Sequence, residues 1–527
     1  MYSLISDRKK YEKIYVSIFA LSLLLFLTNF LIQRQIVFSY SDSLGMLFKM
    51  NVLFWSGLIT LIILIWFQVM NFDNIDEKYI LITFSLLTFY LIGTPFFYEY
   101  LPRFEDTWSH SFLSQEIFRN EKVAIGISSY EEYPGSFLFH GLLFQFLPPY
   151  YVMKFFPPIF YIFGIIVVYL LTEHLFNKKI ALLSSVLYLF FNWTIEDNHI
   201  CPQFLMLNIY FLFMLALVKL LTDKRNKKFY FLISIIIIPA IVFSHPITPV
   251  FLILILGSIF IFCKKLRDLL FFSVLIFLIV CFVLYNVYQS FTFNNYISYI
   301  KHFFEVLIAG EFSRTTQRLI TSQISRQVFI ILRIGILLLS VFLGLFGIFT
   351  LYKKKDFTGA KFFIFWSFSI IIFSIFVALT LKGEYYEKFV MISSLPLAIV
   401  STYYFFELKI SGKWILMLLL LLVPIFFITK YGNEAFESLS LEKLNADCFY
   451  YKFDTDCLNN QEIVDARLDY DPETFGKEHF TISREELMMS SVLLDKSLDE
   501  IVILFEKPIS ETRLDRVFST NTAGVYR

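Results

Sequence analysis

Residues 264–289 read KKLRDLLFFSVLIFLIVCFVLYNVYQ, and no charged side chain falls between Leu269 and Tyr288. A helix rises about 1.5 Å per residue, so a run of this length reaches across a hydrocarbon core roughly 30 Å thick. In that medium the main-chain N–H and C=O groups find no water, and a helix satisfies them within one segment. The run therefore predicts a membrane-spanning helix with the basic KKLRD at its cytoplasmic end.

The same pattern recurs on both sides. The chain has 527 residues, of which 57% are hydrophobic and only 17% charged, with 67 Phe. That composition excludes an ordinary soluble fold and predicts an α-helical polytopic membrane protein. A net charge of +1 gives no basic field for a nucleic-acid partner. The N-terminus, MYSLISDRKKYEK, is basic and leads into an apolar run from Ile14 to about Leu31. That run is too long for a signal peptide and no small-residue cleavage site follows it, so it reads as an uncleaved first span with a cytoplasmic N-terminus.

Hydropathy places thirteen spans, at 14–33, 51–70, 79–97, 150–171, 180–193, 203–221, 229–243, 248–263, 269–288, 328–352, 362–380, 389–406 and 413–429. With the N-terminus inside, the cytoplasmic segments hold 20 Lys and Arg in 57 residues, and the outer connections 11 in 129. The density differs about fourfold, in the direction of the positive-inside rule. One miscounted span would exchange the sides beyond it and destroy the agreement.

An odd number of spans leaves the tail outside. Residues 1–429 thus form the membrane domain and 430–527 a soluble extracytoplasmic domain, which carries 20 Asp and Glu against 11 Lys and Arg. Within it SREELMMSSVLLDK predicts a helix capped by Ser483, and IVILF (501–505) and RVFSTNTAGVYR (516–527) predict strands, making a small α/β unit. Cys448 and Cys457 in CFYYKFDTDC are either a disulfide or two free thiols, and their spacing fits no metal pattern. Cys201, Cys263 and Cys281 lie in or beside spans and read as small apolar residues.

Charge inside the spans is confined to Lys154, Lys219 and Arg333, of which Lys219 and Arg333 lie near enough to a span end to snorkel. Carboxylates collect on the outer side. RFEDTWSHSFLSQEIFR (103–119) brings Glu105, Asp106 and His110 together directly after a span, and NWTIEDNHICPQ packs Glu196, Asp197 and His199 into a short turn without a basic residue. The connection 289–327 holds Glu305 and Glu311 and is long enough to be functional. Glu116, Glu121, Glu131 and Glu132 read as solvated loop residues. Paired carboxylates without counter-cations form a hard oxygen site suited to Mg²⁺ or Mn²⁺, and one alone serves as a general base. The tripeptide Asn192-Trp193-Thr194 matches a glycosylation sequon but abuts the membrane.

The order of these parts resembles the GT-C class of membrane glycosyltransferases, and within it the oligosaccharyltransferase catalytic subunits and related archaeal and bacterial proteins. The resemblance covers most of the chain from about Tyr100 and is one of pattern. EDTWSHSFLSQEIFRN looks like the family's helix parallel to the membrane, which implies Asp106 as first acidic ligand or base. YEEYPGSFLFHGLLFQF looks like the Tyr-Pro turn that opens the next apolar helix. IEDNHICPQF looks like the second acidic motif, with Glu196 and Asp197. The resemblance makes 289–327 the substrate-covering loop with Glu311 as its acidic contact. It places Lys388, in GEYYEKFVMISSLPLAI, at the position that holds the lipid phosphate. SHPITP (244–249) resembles a His-containing turn of these relatives, at His245. The tail carries no WWDYG motif, the acceptor-recognition element of oligosaccharyltransferases, so the resemblance leaves the acceptor open between protein, lipid and polysaccharide.

The implied activity is transfer of a sugar from a polyprenyl-phosphate or pyrophosphate donor to an acceptor on the outer face of the plasma membrane. Asp106 and Glu311 would be catalytic, Asp106, Glu196 and Asp197 would bind metal, and Lys388 with Arg333 would hold the lipid phosphate. Glu105, His110, His199 and His245 would be further substrate contacts. Two readings of other classes stand beside it: a transporter or flippase of a lipid-linked substrate, and a non-catalytic assembly subunit. Transporters place charge at the midplane and often carry inverted repeats, and this sequence shows neither.

Overall fold

The structure is a computed structural model that describes residues 2–33, 45–98, 102, 105–123, 132–192, 194, 199–263, 268–289, 324–353, 366 and 386–431. The expected tail domain, with Cys448, Cys457, its helix and its strands, lies outside the described residues. So do Glu196, Asp197, Glu305, Glu311 and, Trp366 excepted, the span expected at 362–380.

The described residues are helical, with no strand among them. In chain order the helices are α1 (Tyr2–Ile32), α2 (Val52–Met70), α3 (Lys78–Leu91), α4 (Thr94–Tyr98), α5 (Glu105–Asn120), α6 (Gly135–Phe144), α7 (Pro149–Leu175), α8 (Lys178–Phe191), α9 (Pro202–Thr222), α10 (Lys227–Ser244), α11 (Thr248–Phe262), α12 (Leu269–Tyr288), α13 (Ile324–Lys353), α14 (Tyr386–Glu407) and α15 (Gly412–Tyr431). Among the described residues, nine helices are long and apolar enough to cross a membrane: α1, α2, α7, α9, α10, α12, α13, α14 and α15. This is an integral membrane protein.

Local chemistry sets the helix limits. Asn51, Asn177 and Asp268 cap α2, α8 and α12 by accepting main-chain N–H groups two or three residues on. Pro149 and Pro202 stand at the start of α7 and α9, where a missing N–H costs nothing. The span expected at 79–97 is instead two helices. At Gly93 an added Cβ would lie 2.7 Å from the carbonyl of Phe89, and the chain turns there before Pro95. Windowed hydropathy averages through that break. The spans expected at 180–193 and 248–263 are found as α8 and α11, of 14 and 15 residues. The stretch 98–149, expected to be an outer connection, contains α5 and α6.

The helix pairs are α1 with α2, α7 with α8 and α9, α9 with α10, α10 with α12, and α14 with both α8 and α13. α9 and α14 are the most enclosed and α1 the least. Side chains such as Leu24, Ile159, Ile236, Leu284 and Leu338 are exposed, as a lipid-facing belt requires. Polar bonds gather at the two ends. At one, Glu77 pairs with Lys178, Lys227 with Asp268, and the His174 ring is 2.7 Å from the Thr222 hydroxyl. Phe176 meets Tyr403 there, and Lys179 lies over Phe406, which sets α8 antiparallel to α14. The opposite end therefore gathers the end of α8 and the starts of α9 and α14. Among the described residues expected on the outer side, Gln289 donates to the Glu132 carbonyl and Ser136 to the Ser244 carbonyl.

Candidate active site at one end of the bundle

α5 packs against α6 and, through it, against the starts of α7 and α9. Its inward face is unusual for a membrane protein. Thr107, His110, Ser111 and Ser114 recur at helical spacing, and all are buried. Ser114 Oγ donates to the His110 carbonyl at 2.8 Å, whereas Thr107 Oγ1 and Ser111 Oγ have no hydrogen-bond partner among the described residues. The Cβ of an alanine at Gly141 of α6 would lie 2.4 Å from the Phe118 ring and 2.7 Å from the Ser114 carbonyl oxygen, so the two helices approach closely there.

His140 on α6 lies opposite. It is fully buried among Phe139 and Phe156, and neither ring nitrogen has a hydrogen-bond partner among the described residues. Burial first, and then the neighbouring His110, lower its pKa from 6.5 to about 3. Below pH 6.5 the unfolded chain takes up a proton that the folded protein refuses, so stability falls as pH drops from 6.5 towards 3. His140→Phe removes that contribution. Between pH 6.5 and 5 wild type is expected to lose about 2 kcal/mol more than the variant, at about 1.4 kcal/mol per pH unit. Thermal melting of both proteins across this range checks it, and parallel profiles would contradict it.

The segment that opens α6 is pinned to the end of α12. Tyr285 and Gln289 donate to the Glu132 carbonyl at 2.6 and 3.2 Å, and Tyr133 donates to Asn286 Oδ1 at 2.9 Å. Glu132 itself is fully buried, which corrects its reading as a solvated loop carboxylate. Glu116 pairs with Arg119 at 3.0 Å and Glu121 is exposed, as expected of a solvated face.

Of the residues expected to act, Glu105 and Asp106 occupy the first turn of α5 and Lys388 the first turn of α14. His110 and His199 are buried. His245 Nδ1 accepts the Thr248 N–H at 3.2 Å and lies 2.9 Å from the Thr248 hydroxyl, so the ring closes the turn that starts α11. Arg333 does not snorkel. It is buried, and its Nε donates to the Thr429 carbonyl at 2.9 Å, capping the end of α15 where helix carbonyls lack partners. Asn192, the sequon asparagine, is fully buried and its amide donates to the hydroxyls of Tyr161 and Tyr188. It is not accessible as a glycosylation acceptor.

Two residues here escaped the sequence reading. His140 sits in FLFHGLLF, where one imidazole among apolar neighbours gives no periodic signal. Lys430 was assigned to the soluble tail, but α15 runs on to Tyr431 and Lys430 is fully buried. Among the described residues no group of three His, Cys, Asp or Glu is placed to hold a metal ion.

No protein-family profile matches the chain, and neither does any curated protein. Among solved structures it is similar to the Archaeoglobus fulgidus oligosaccharyltransferase. Against the apo form the TM-score is 0.41 at 14% identity, covering 68% of this chain and 57% of that one. Against the same protein in complex with Zn and sulfate the TM-score is 0.45 at 14% identity, covering 79% of this chain and 61% of that one. The chain thus spans about three-fifths of the length of those structures. Likeness at this level assigns neither activity nor residue roles here.

Proposed function

We propose that the protein is a membrane glycosyltransferase that takes a sugar from a polyprenyl-phosphate or pyrophosphate donor and passes it to an acceptor at the outer face of the membrane. The observation that carries the reading is that the described helix ends adjoining Asp106, the 193–198 stretch and Lys388 lie at one end of the bundle, where α5 packs through α6 on the starts of α7 and α9 and α14 runs antiparallel to α8. The chain after Asn192 leads to Glu196 and Asp197, Lys388 lies in the first turn of α14, and Arg333, the tenth residue of α13, bonds to the last turn of α15. The basic density of the opposite connections supports assigning this end to the outer side. The tail after Tyr431 then lies outside.

In this reading the donor enters sideways from the lipid, and Lys388 neutralises the phosphate that leaves with its polyprenyl chain. Charge develops on that leaving group in the transition state, so a fixed cation there is the main electrostatic requirement. Arg333, already bonded to Thr429, braces α15 and adds positive potential. Asp106 takes the proton of the acceptor nucleophile, and Glu311 contacts the substrate from the long loop. In the alternative role Asp106, with Glu196 and Asp197, offers hard oxygen donors that suit Mg²⁺ or Mn²⁺ and would hold such an ion. A bound cation would neutralise pyrophosphate oxygens. Glu105, His110 and His199 flank these positions, while the hydrogen bonds of His245 assign it to the turn.

The test is product release. Purified protein in liposomes, supplied with lipid extract and an acceptor-rich envelope fraction, is expected to liberate free polyprenyl phosphate or pyrophosphate. EDTA is expected to stop release and added Mg²⁺ or Mn²⁺ to restore it. Lipid moved between leaflets without cleavage would favour a flippase, and neither event would favour an assembly subunit.

A further inference from the structure

From Tyr133 to Met153 the chain carries no Asp, Glu, Lys or Arg, although residues up to 149 were expected to form an outer connection. The structure makes it a hairpin of α6 and the start of α7, joined by Gln145, Phe146, Leu147 and Pro148. One side of the hairpin faces the bundle, with Phe137, His140 and Gly141 buried on α6 and Val152 and Met153 on α7. The other side carries Leu142, Phe146, Leu147 and Tyr151, each half or more exposed and Phe146 at 76%. An exposed apolar cluster of this kind marks a contact with something apolar.

Two observations point to what covers it. The first is continuity. Further along α7 the exposed side chains are Phe155, Ile159 and Phe163, at every fourth residue, so one stripe runs from the lipid-facing belt up to the turn. Its depth is fixed twice. From Leu175, at the basic end, back to Phe155 the helix covers about 30 Å, one hydrocarbon thickness. Phe155 also meets Phe97, and Phe97 meets Phe30 near the end of α1, with ring centroids 6.0 and 6.2 Å apart. The acyl region thus ends near Phe155, and Tyr151 lies one helical turn, about 5 Å, further out. That is the headgroup boundary, where Tyr is enriched in membrane proteins.

The second observation is the main chain of the turn. The N–H groups of Gln145, Phe146 and Leu147 donate to the carbonyls of Leu142 and Leu143, and those of Tyr151 and Val152 to the Pro148 carbonyl. Pro148 and Pro149 have no N–H to satisfy. A loop in water can leave such donors to the solvent, whereas a turn at the lipid boundary has to satisfy them itself.

We propose that the α6–α7 turn is an interfacial anchor: Leu142, Phe146, Leu147 and Tyr151 insert between the headgroups of the leaflet at this end and rest on its acyl chains. The occupant of the exposed face is phospholipid. The anchor fixes the height of α6, and of α5 packed on it, at the membrane surface. It does not depend on the glycosyltransferase reading.

The experiment uses full-length protein in phospholipid nanodiscs, carrying the photo-crosslinking residue benzoylphenylalanine at Phe146, at Ile159 in the lipid-facing stripe, or at exposed Lys122 after α5. After illumination, mass spectrometry of the peptide that holds the crosslinker identifies what it captured. Phospholipid adducts are expected at 146 and 159 and not at 122. In a second set, Phe146→Cys, Leu147→Cys, Ile159→Cys and Lys122→Cys react with N-ethylmaleimide in liposomes, read on the same peptides so that the native cysteines do not interfere. The thiolate is the nucleophile and lipid keeps a thiol un-ionised, so positions 146, 147 and 159 are expected to react about tenfold slower than 122. Leu147→Cys serves if Phe146→Cys does not fold. Reaction at 146 or 147 as fast as at 122 overturns the proposal, because the turn is then in water. Capture of another segment of the chain or of a second copy, without phospholipid, also overturns it, because protein then covers the face.

Discussion

Asp106→Asn is expected to abolish sugar transfer, lowering the rate by at least a hundredfold while leaving expression and Tm unchanged. The substitution keeps the size of the side chain and removes its charge and basicity, and a general base contributes about 10²–10⁴-fold. It lies in the first turn of α5, so a neutral amide there leaves the buried stripe of Thr107, His110 and Ser111 intact. Glu116→Gln on the same helix is the control. Its partner is Arg119, part-exposed, and an ion pair of that kind contributes at most about 1 kcal/mol. Equal activity in wild type and Asp106→Asn would remove the residue from the mechanism.

Gly347→Ala is expected to produce the largest loss of stability. α13 crosses α14 at Gly344 and Gly347, and an alanine Cβ at 347 would lie 2.1 Å from the Val400 carbonyl oxygen and 2.6 Å from its carbon. Those atoms belong to the main chain, so the helices must separate. Small residues at such crossings are what allows close packing in lipid. Overpacking costs about 1–3 kcal/mol, against which the better helix propensity of alanine returns about 1 kcal/mol. Gly335→Ala on the same helix meets nothing within 4 Å and is expected to be neutral or mildly stabilising. Thermal melting in detergent compares the two, and an equal effect would contradict the close crossing.

The membrane class and most helix limits were legible because burial in lipid demands long uncharged runs. Leu269–Tyr288 was read residue for residue, and 150–171 and 203–221 appear as Pro149–Leu175 and Pro202–Thr222. Failures occurred where tertiary contacts override hydropathy. Gly93 breaks an apolar run that still averages as a span. Arg333 and Glu132, each expected to reach water, are buried by neighbours far away in sequence. The candidate site was legible only in part. Carboxylates after span ends are visible in a sequence, but the polar face of α5 and the burial of His140 and Lys430 depend on which helices meet. Lys430 was misassigned because a charged residue after an apolar run looks like the end of the membrane.

The central claim is a donor site for a lipid-linked sugar, and mass spectrometry of copurifying lipids tests it most directly. Wild-type protein extracted in mild detergent is expected to carry a polyprenyl-phosphate sugar, and Lys388→Ala to lose it while retaining bulk phospholipid. The mass would also identify the sugar. Bulk phospholipid alone in both proteins, or a polyprenyl-linked sugar retained equally by Lys388→Ala, would contradict the account.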